Sequence, residues 1–99
     1  MDVSFLYQKQ RFVWDEAKTT TNARKHGISF ELACEIFFDP FVRVVDAGVG
    51  DEERDAAIGF TADQSLLFVV HVLREDDTIR LISARRAELS ERRFYEDIE

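Results

Sequence analysis

The only proline of the chain, Pro40, separates two stretches whose hydrophobic residues recur with different periods. Just before it, Phe30, Ala33, Cys34 and Phe37 follow one another at helical spacing, and Asp39 with Pro40 closes that segment. Beyond it, β-branched and aromatic residues gather in 41–45, 56–61, 66–73 and 79–83, which predicts four strands. The connections at 48–51, 62–65 and 75–78 carry turn chemistry and are short, so consecutive strands should pair as an antiparallel meander. The run 66–72 is apolar on both faces apart from His71, predicting a central strand covered on each side.

The remaining elements follow from capping chemistry. Residues 11–14 read as a strand, after which the Asp15 carboxylate can cap a helix over about 16–25 and Gly27 can supply its left-handed stop. Ser29 is positioned to cap the second helix. The tail 87–98 predicts an amphipathic helix with Leu89, Phe94 and Ile98 as its buried positions. The resulting fold class is α+β, with helices packed on a largely antiparallel sheet in the order β-α-α-β-β-β-β-α. Residues 11–99 form one domain, and residues 1–10 read as a dispensable N-terminal extension.

Nine phenylalanines and 45% apolar residues in 99 positions favour a single packed core over disorder. No apolar run reaches the roughly 18 residues needed to span a bilayer, and the start lacks the pattern of a signal peptide, so a cytoplasmic protein with no membrane partner is expected. Cys34 is alone, which rules out an intramolecular disulfide, and its place on an apolar stripe predicts a buried small hydrophobe. A formal net charge of −7 opposes a bulk electrostatic grip on nucleic acid. The charge is unevenly placed, however. Arg24 and Lys25 fall together, as do Arg85 and Arg86, whereas Asp51, Glu52 and Glu53 form a separate acidic run.

The first helix is unusually polar. Lys18, Asn22 and Lys25 are spaced by four and three residues, so they share one side of it, either as a solvated face or as a stripe facing phosphate. His26 ends that helix and admits two readings: an imidazole capping a carbonyl near the negative pole of the dipole, or an acid–base group. His71, among valines, reads as a structural residue with one hydrogen bond, and Trp14 and Tyr95 as packing groups. Regular alternation would send Arg80 and Arg85 to opposite faces of the last strand unless a bulge intervenes near Ala84. The histidines lie far apart, and neither a paired metal-ligand motif nor a glycine-rich phosphate loop occurs, so no metal or other cofactor is expected.

Two blocks of residues resemble the BrnT family of toxins. The first comprises Phe12-Val13-Trp14-Asp15, Lys18, Asn22, Lys25-His26-Gly27-Ile28-Ser29-Phe30, Ala33 and positions 37–40. The second comprises Asp51-Glu52, Arg54, Gly59, 66–70, Arg74, 79–85, Ala87, Glu91, Arg92 and Tyr95, so that the resemblance covers about residues 11–96. It implies a RelE-like fold and metal-independent RNA cleavage that arrests growth by blocking translation. It also implies a cognate ribbon–helix–helix antitoxin (BrnA-like) in a hetero-oligomer that binds operator DNA through the antitoxin.

Such cleavage uses the neighbouring 2′-hydroxyl as nucleophile, and the protein must move two protons and neutralise charge on the phosphorane. Under this resemblance Arg54 and Arg80 stabilise the transition state, His26 and Lys25 assist proton transfer or substrate grip, and Lys18, Asn22, Arg74 and Arg85 bind RNA. Against it stands a non-catalytic reading, an acidic binding module that recruits a basic protein partner.

Overall fold

The computed structural model describes residues 1–97. Six strands form one sheet in the order β1-β2-β6-β5-β4-β3, where β1 is Asp2–Tyr7, β2 Gln10–Asp15, β3 Arg43–Asp46, β4 Asp55–Phe60, β5 Leu66–Leu73 and β6 Ile79–Arg86. The helices are α1 (Glu16–His26), α2 (Phe30–Ala33), which continues as a 3₁₀ turn over Cys34–Phe38, and α3 (Leu89–Glu96). From β2 onward this is the expected α+β order, and β3 to β6 form the antiparallel meander. One strand precedes that order. β1 pairs antiparallel with β2, and Val3, Phe5 and Tyr7 pack against the core.

Capping geometry sets the helix ends. The Asp15 carboxylate accepts from Ala17 N at 3.0 Å, and Gly27 closes α1 in the left-handed region at φ 68°. Ser29 Oγ likewise accepts from Leu32 N at 3.1 Å. The core lies between one sheet face and α1, α2 and the 3₁₀ turn, with Phe12, Trp14, Ile28, Phe30, Ile36, Leu67, Val69 and Leu81 buried. Burying each such side chain contributes about 1.5–3 kcal/mol before entropy is counted. Gly59 lets the 3₁₀ turn approach β4, because a Cβ there would lie 2.9 Å from the Ile36 carbonyl oxygen.

Two features of the sheet differ from the expectation. β2 joins β6 in parallel over only two pairs, Phe12↔Ile79 and Val13↔Arg80. β5 is central, but only its core face is covered along its length, so Phe68, Val70 and Val72 on the outer face remain half-buried.

The packing of α3 also differs. Leu89 is 63% exposed, and Phe94, 38% exposed, packs under Arg43 rather than in the core, so neither is a core residue; Ile98 lies outside the described residues. The inward positions are Glu91 and Tyr95, one turn apart, because polar anchors rather than an apolar stripe hold this two-turn helix. Glu91 forks onto Arg85 with both contacts at 2.8 Å. Tyr95 donates to Asp39, whose carboxylate also accepts from Phe60 N and Phe41 N. No helix among the described residues is long and apolar enough to cross a membrane.

Candidate functional site

α1 is the element from which the site is built. β2 leaves the sheet at Asp15, and beyond Arg80 the edge of β6 has no neighbouring strand. Asn22 takes the place of that strand. Its Oδ1 accepts from Ala84 N at 3.0 Å, while its Nδ2 donates to Ala84 O at 2.8 Å and to Ile28 O at 2.9 Å. The amide is buried and its hydrogen bonds all go to backbone, so Asn22 fastens α1 to β6 and leaves no donor for a phosphate.

With α1 anchored in this way, an open cleft of about 600 Å³ forms between it and β6. Lys18, Lys25 and His26 line it from α1, Ile82 and Ser83 from β6, and Arg54 from the start of β4. Among the described residues, Lys18, Lys25 and His26 make no side-chain hydrogen bond or ion pair. The carboxylate lining this cleft belongs to Asp15, which is already engaged as the helix cap. Arg54 sits at the boundary with an acidic loop, its Nε 3.4 Å from Glu52 Oε2, and Asp51, Glu52 and Glu53 line the neighbouring cavity on the other side of Arg54. The charged side chains lining this cleft are thus mainly cationic, on a chain whose total charge is −7.

The strand arginines are arranged by a bulge. Pairing between β5 and β6 steps from Val70↔Ser83 to His71↔Leu81, which makes Ile82 an extra residue. The bulge reverses the alternation, so Arg80, opposite Val72, and Arg85, opposite Phe68, share the outer face. Arg85 is occupied there by Glu91 and stacks on Phe68 with its guanidinium carbon 4.3 Å from the ring centroid. This places it in the attachment of α3. Its charge is further stabilised by the Glu91 hydrogen bonds, and Arg85 in turn holds the Glu91 carboxyl below its ordinary range.

Arg80 and Arg74 line a different cavity, of about 700 Å³, bounded by β1, β2, β6 and the β5–β6 turn. The Arg80 guanidinium forks onto the Asp2 carboxylate at 3.0 and 3.1 Å. Of the eight positions singled out from the sequence, Lys18, Lys25, His26 and Arg54 therefore converge in one cleft with Asn22 beneath them, while Arg80 and Arg74 lie in a second cavity and Arg85 joins α3. Sequence reasoning did not single out Asp2, Ser4 or Arg11 of that second cavity. The only signal was the alternation of residues 2–7, which marks a strand but not its partner.

His71 and Cys34 are structural. His71 is buried, with Nδ1 3.2 Å from Val69 O and its ring edge-on to Phe37, and burial pushes its pKa down. Burial pushes the Cys34 thiol up to about 12. No group of three or more His, Cys, Asp or Glu among the described residues is placed to hold a metal ion. A family model described as the ribonuclease toxin BrnT of type II toxin–antitoxin systems matches residues 14–91. No curated protein matches the chain.

Proposed function

We propose, since the chain belongs to the BrnT family of ribonuclease toxins of type II toxin–antitoxin systems, that it cleaves RNA in the cleft between α1 and β6 without a metal ion. The observation that carries this reading is the convergence of Lys18, Lys25, His26 and Arg54, from two segments distant in sequence, around a space with no unengaged carboxylate. In this scheme Arg54 offers a planar fork to the scissile phosphate, and Lys18 and Lys25 hold the flanking backbone. The 2′-hydroxyl attacks phosphorus and the 5′-oxygen departs, leaving a 2′,3′-cyclic phosphate and a 5′-hydroxyl. One proton leaves the 2′-hydroxyl and one reaches the departing 5′-oxygen; His26 exchanges one of them and Lys25 or solvent water the other. Cleavage blocks translation and arrests growth. A basic ribbon–helix–helix antitoxin covers the acidic remainder of the surface, neutralises the toxin and carries the complex to operator DNA.

Inducing the chain alone in bacteria while following growth and total RNA tests the reading, with Arg54→Ala as comparison. Growth arrest with loss of intact RNA, relieved by Arg54→Ala in a folded protein, is the expected result. Undisturbed growth and intact RNA would instead assign a binding module. Cleavage by the purified chain that persists in EDTA and yields cyclic phosphate ends tests the chemistry. Ends bearing 5′-phosphate would overturn it.

A further inference from the structure

The second cavity presents arginines that the cleft does not use. Arg80 is engaged by Asp2, Arg11 reaches Ser4 Oγ at 3.4 Å and lies within the electrostatic reach of Asp76 on the cavity wall, and the Arg74 side chain makes no ion pair among the described residues. The carboxylate of Asp2 occupies the Arg80 fork as the two non-bridging oxygens of a phosphodiester would. Asp2 itself is 56% exposed, so its side of the pair is open to exchange with an anion from solvent. Arg80 also lies three residues from Ser83 on the same face of β6, so roughly 10 Å of strand separates the cavity from the cleft.

We propose that the cavity between β1 and the β5–β6 turn is a second phosphate subsite for the RNA strand held in the cleft, with Arg80, Arg11 and Arg74 taking one phosphodiester. Asp2 is the resident counter-ion that this phosphate displaces. The assignment rests on the reading of the cleft given above. It makes β1, which precedes the segment matched by the family model, a part of substrate binding. Asp2 holds Arg80 extended while the site is empty and lowers RNA affinity, because an incoming phosphate must first replace it.

The test uses the full chain and a fluorescent oligoribonucleotide with 2′-O-methyl riboses, which binds but lacks the nucleophile, with Kd read by anisotropy across a salt series. Asp2→Asn should tighten binding about fivefold, the scale of releasing one exposed ion pair. Glu75→Gln removes a carboxylate that lines the cavity without touching Arg80 and should change Kd less than about twofold. The double variant Arg11→Ala/Arg74→Ala alters exposed side chains only, and should weaken binding and reduce the slope of log K against log salt by about 0.7, one single-strand phosphate contact.

Either an Asp2→Asn protein no tighter than Glu75→Gln, or a double variant with unchanged slope, overturns the subsite. If Lys18→Ala/Lys25→Ala still weakens binding in that case, the cleft reading stands alone. An unmodified chain that binds no oligonucleotide overturns both.

Discussion

At the α3 end of the sheet Arg43, Arg85 and Arg92 are each spoken for, whereas along α1 the cations face solvent without a partner among the described residues. Arg43 donates to the Phe94 carbonyl at 2.8 Å and lies over its ring, Arg85 forks onto Glu91, and Arg92 reaches Glu96 at 3.7 Å. Lys18, Lys25 and His26 have no such contacts among the described residues. Cationic side chains therefore serve two ends: internal carboxylates and rings turn arginine into a clamp for a short helix, and the lack of such partners leaves the α1 cations open to an external anion. Net charge does not distinguish these regions. The placement of counter-ions does.

The sharpest way to break the comparison is to remove one cation from the α3 end and, from the cleft beside α1, Arg54, whose partner Glu52 is an exposed loop residue. Arg54→Ala should lower RNA cleavage about 10²–10³-fold, the scale of losing one preorganised donor to a transition-state oxyanion, with little change in melting temperature. Arg85→Ala should leave cleavage by the folded fraction intact. Equal losses of cleavage in two equally stable variants would erase the distinction.

Asn22→Ala should be the most destabilising change at the α1 edge. It strands the Ala84 N–H and two carbonyls, at a cost of roughly 3 kcal/mol, lowering the melting temperature by roughly 10–20 °C. Asn22→Asp should fare no better, since a carboxylate keeps the bond from Ala84 N but meets both carbonyls. A stable Asn22→Ala protein with impaired RNA binding would return this residue to the substrate.

Glu91→Gln should cost about 1–2 kcal/mol and loosen α3, read by thermal melts and proteolysis of the tail. The Arg85 hydrogen bonds depress the Glu91 carboxyl below its ordinary value of 4.5, against an opposing effect of burial. Its contribution is therefore complete above pH 4.5 and is lost as pH falls through the lower folded value, a loss Glu91→Gln should not show. At the alkaline end, burial and the hydrogen bond to Asp39 push Tyr95 from 10.0 to about 12. The stability it supplies is complete below pH 10 and lost between 10 and about 12, and Tyr95→Phe should remove that dependence. The smallest effect belongs to Lys18→Ala: a few-fold weaker RNA binding across sequences, with the salt slope reduced by about 0.7.

Much of this is written locally. The caps at Asp15, Gly27 and Ser29, the turns, and the meander from β3 to β6 depend on residues a few positions apart, so short-range pattern suffices to read them. The convergence of Lys18 and Lys25 with each other was equally legible, being a matter of helical spacing. Arg54 joining them was not, because β4 reaches α1 only through the order of the sheet. The helical character of α3 is legible in the sequence but its inward face is not, since Leu89 and Phe94 look like core residues until Arg85 supplies Glu91 with a partner.

The sequence by itself determined which segments from β2 onward become helix and strand and which residue types could meet a phosphate, but not that residues 2–7 add a strand to the sheet. The tertiary structure alone decided the rest: that the bulge at Ile82 turns Arg80 and Arg85 to one face, that Asn22 bonds a strand 62 residues away, and that Asp2 meets Arg80 across 78. The physical reason is that alternation and capping act over a few residues of backbone. Register and counter-ion choice arise only when distant strands pair, and a single extra residue there reverses which face a side chain takes.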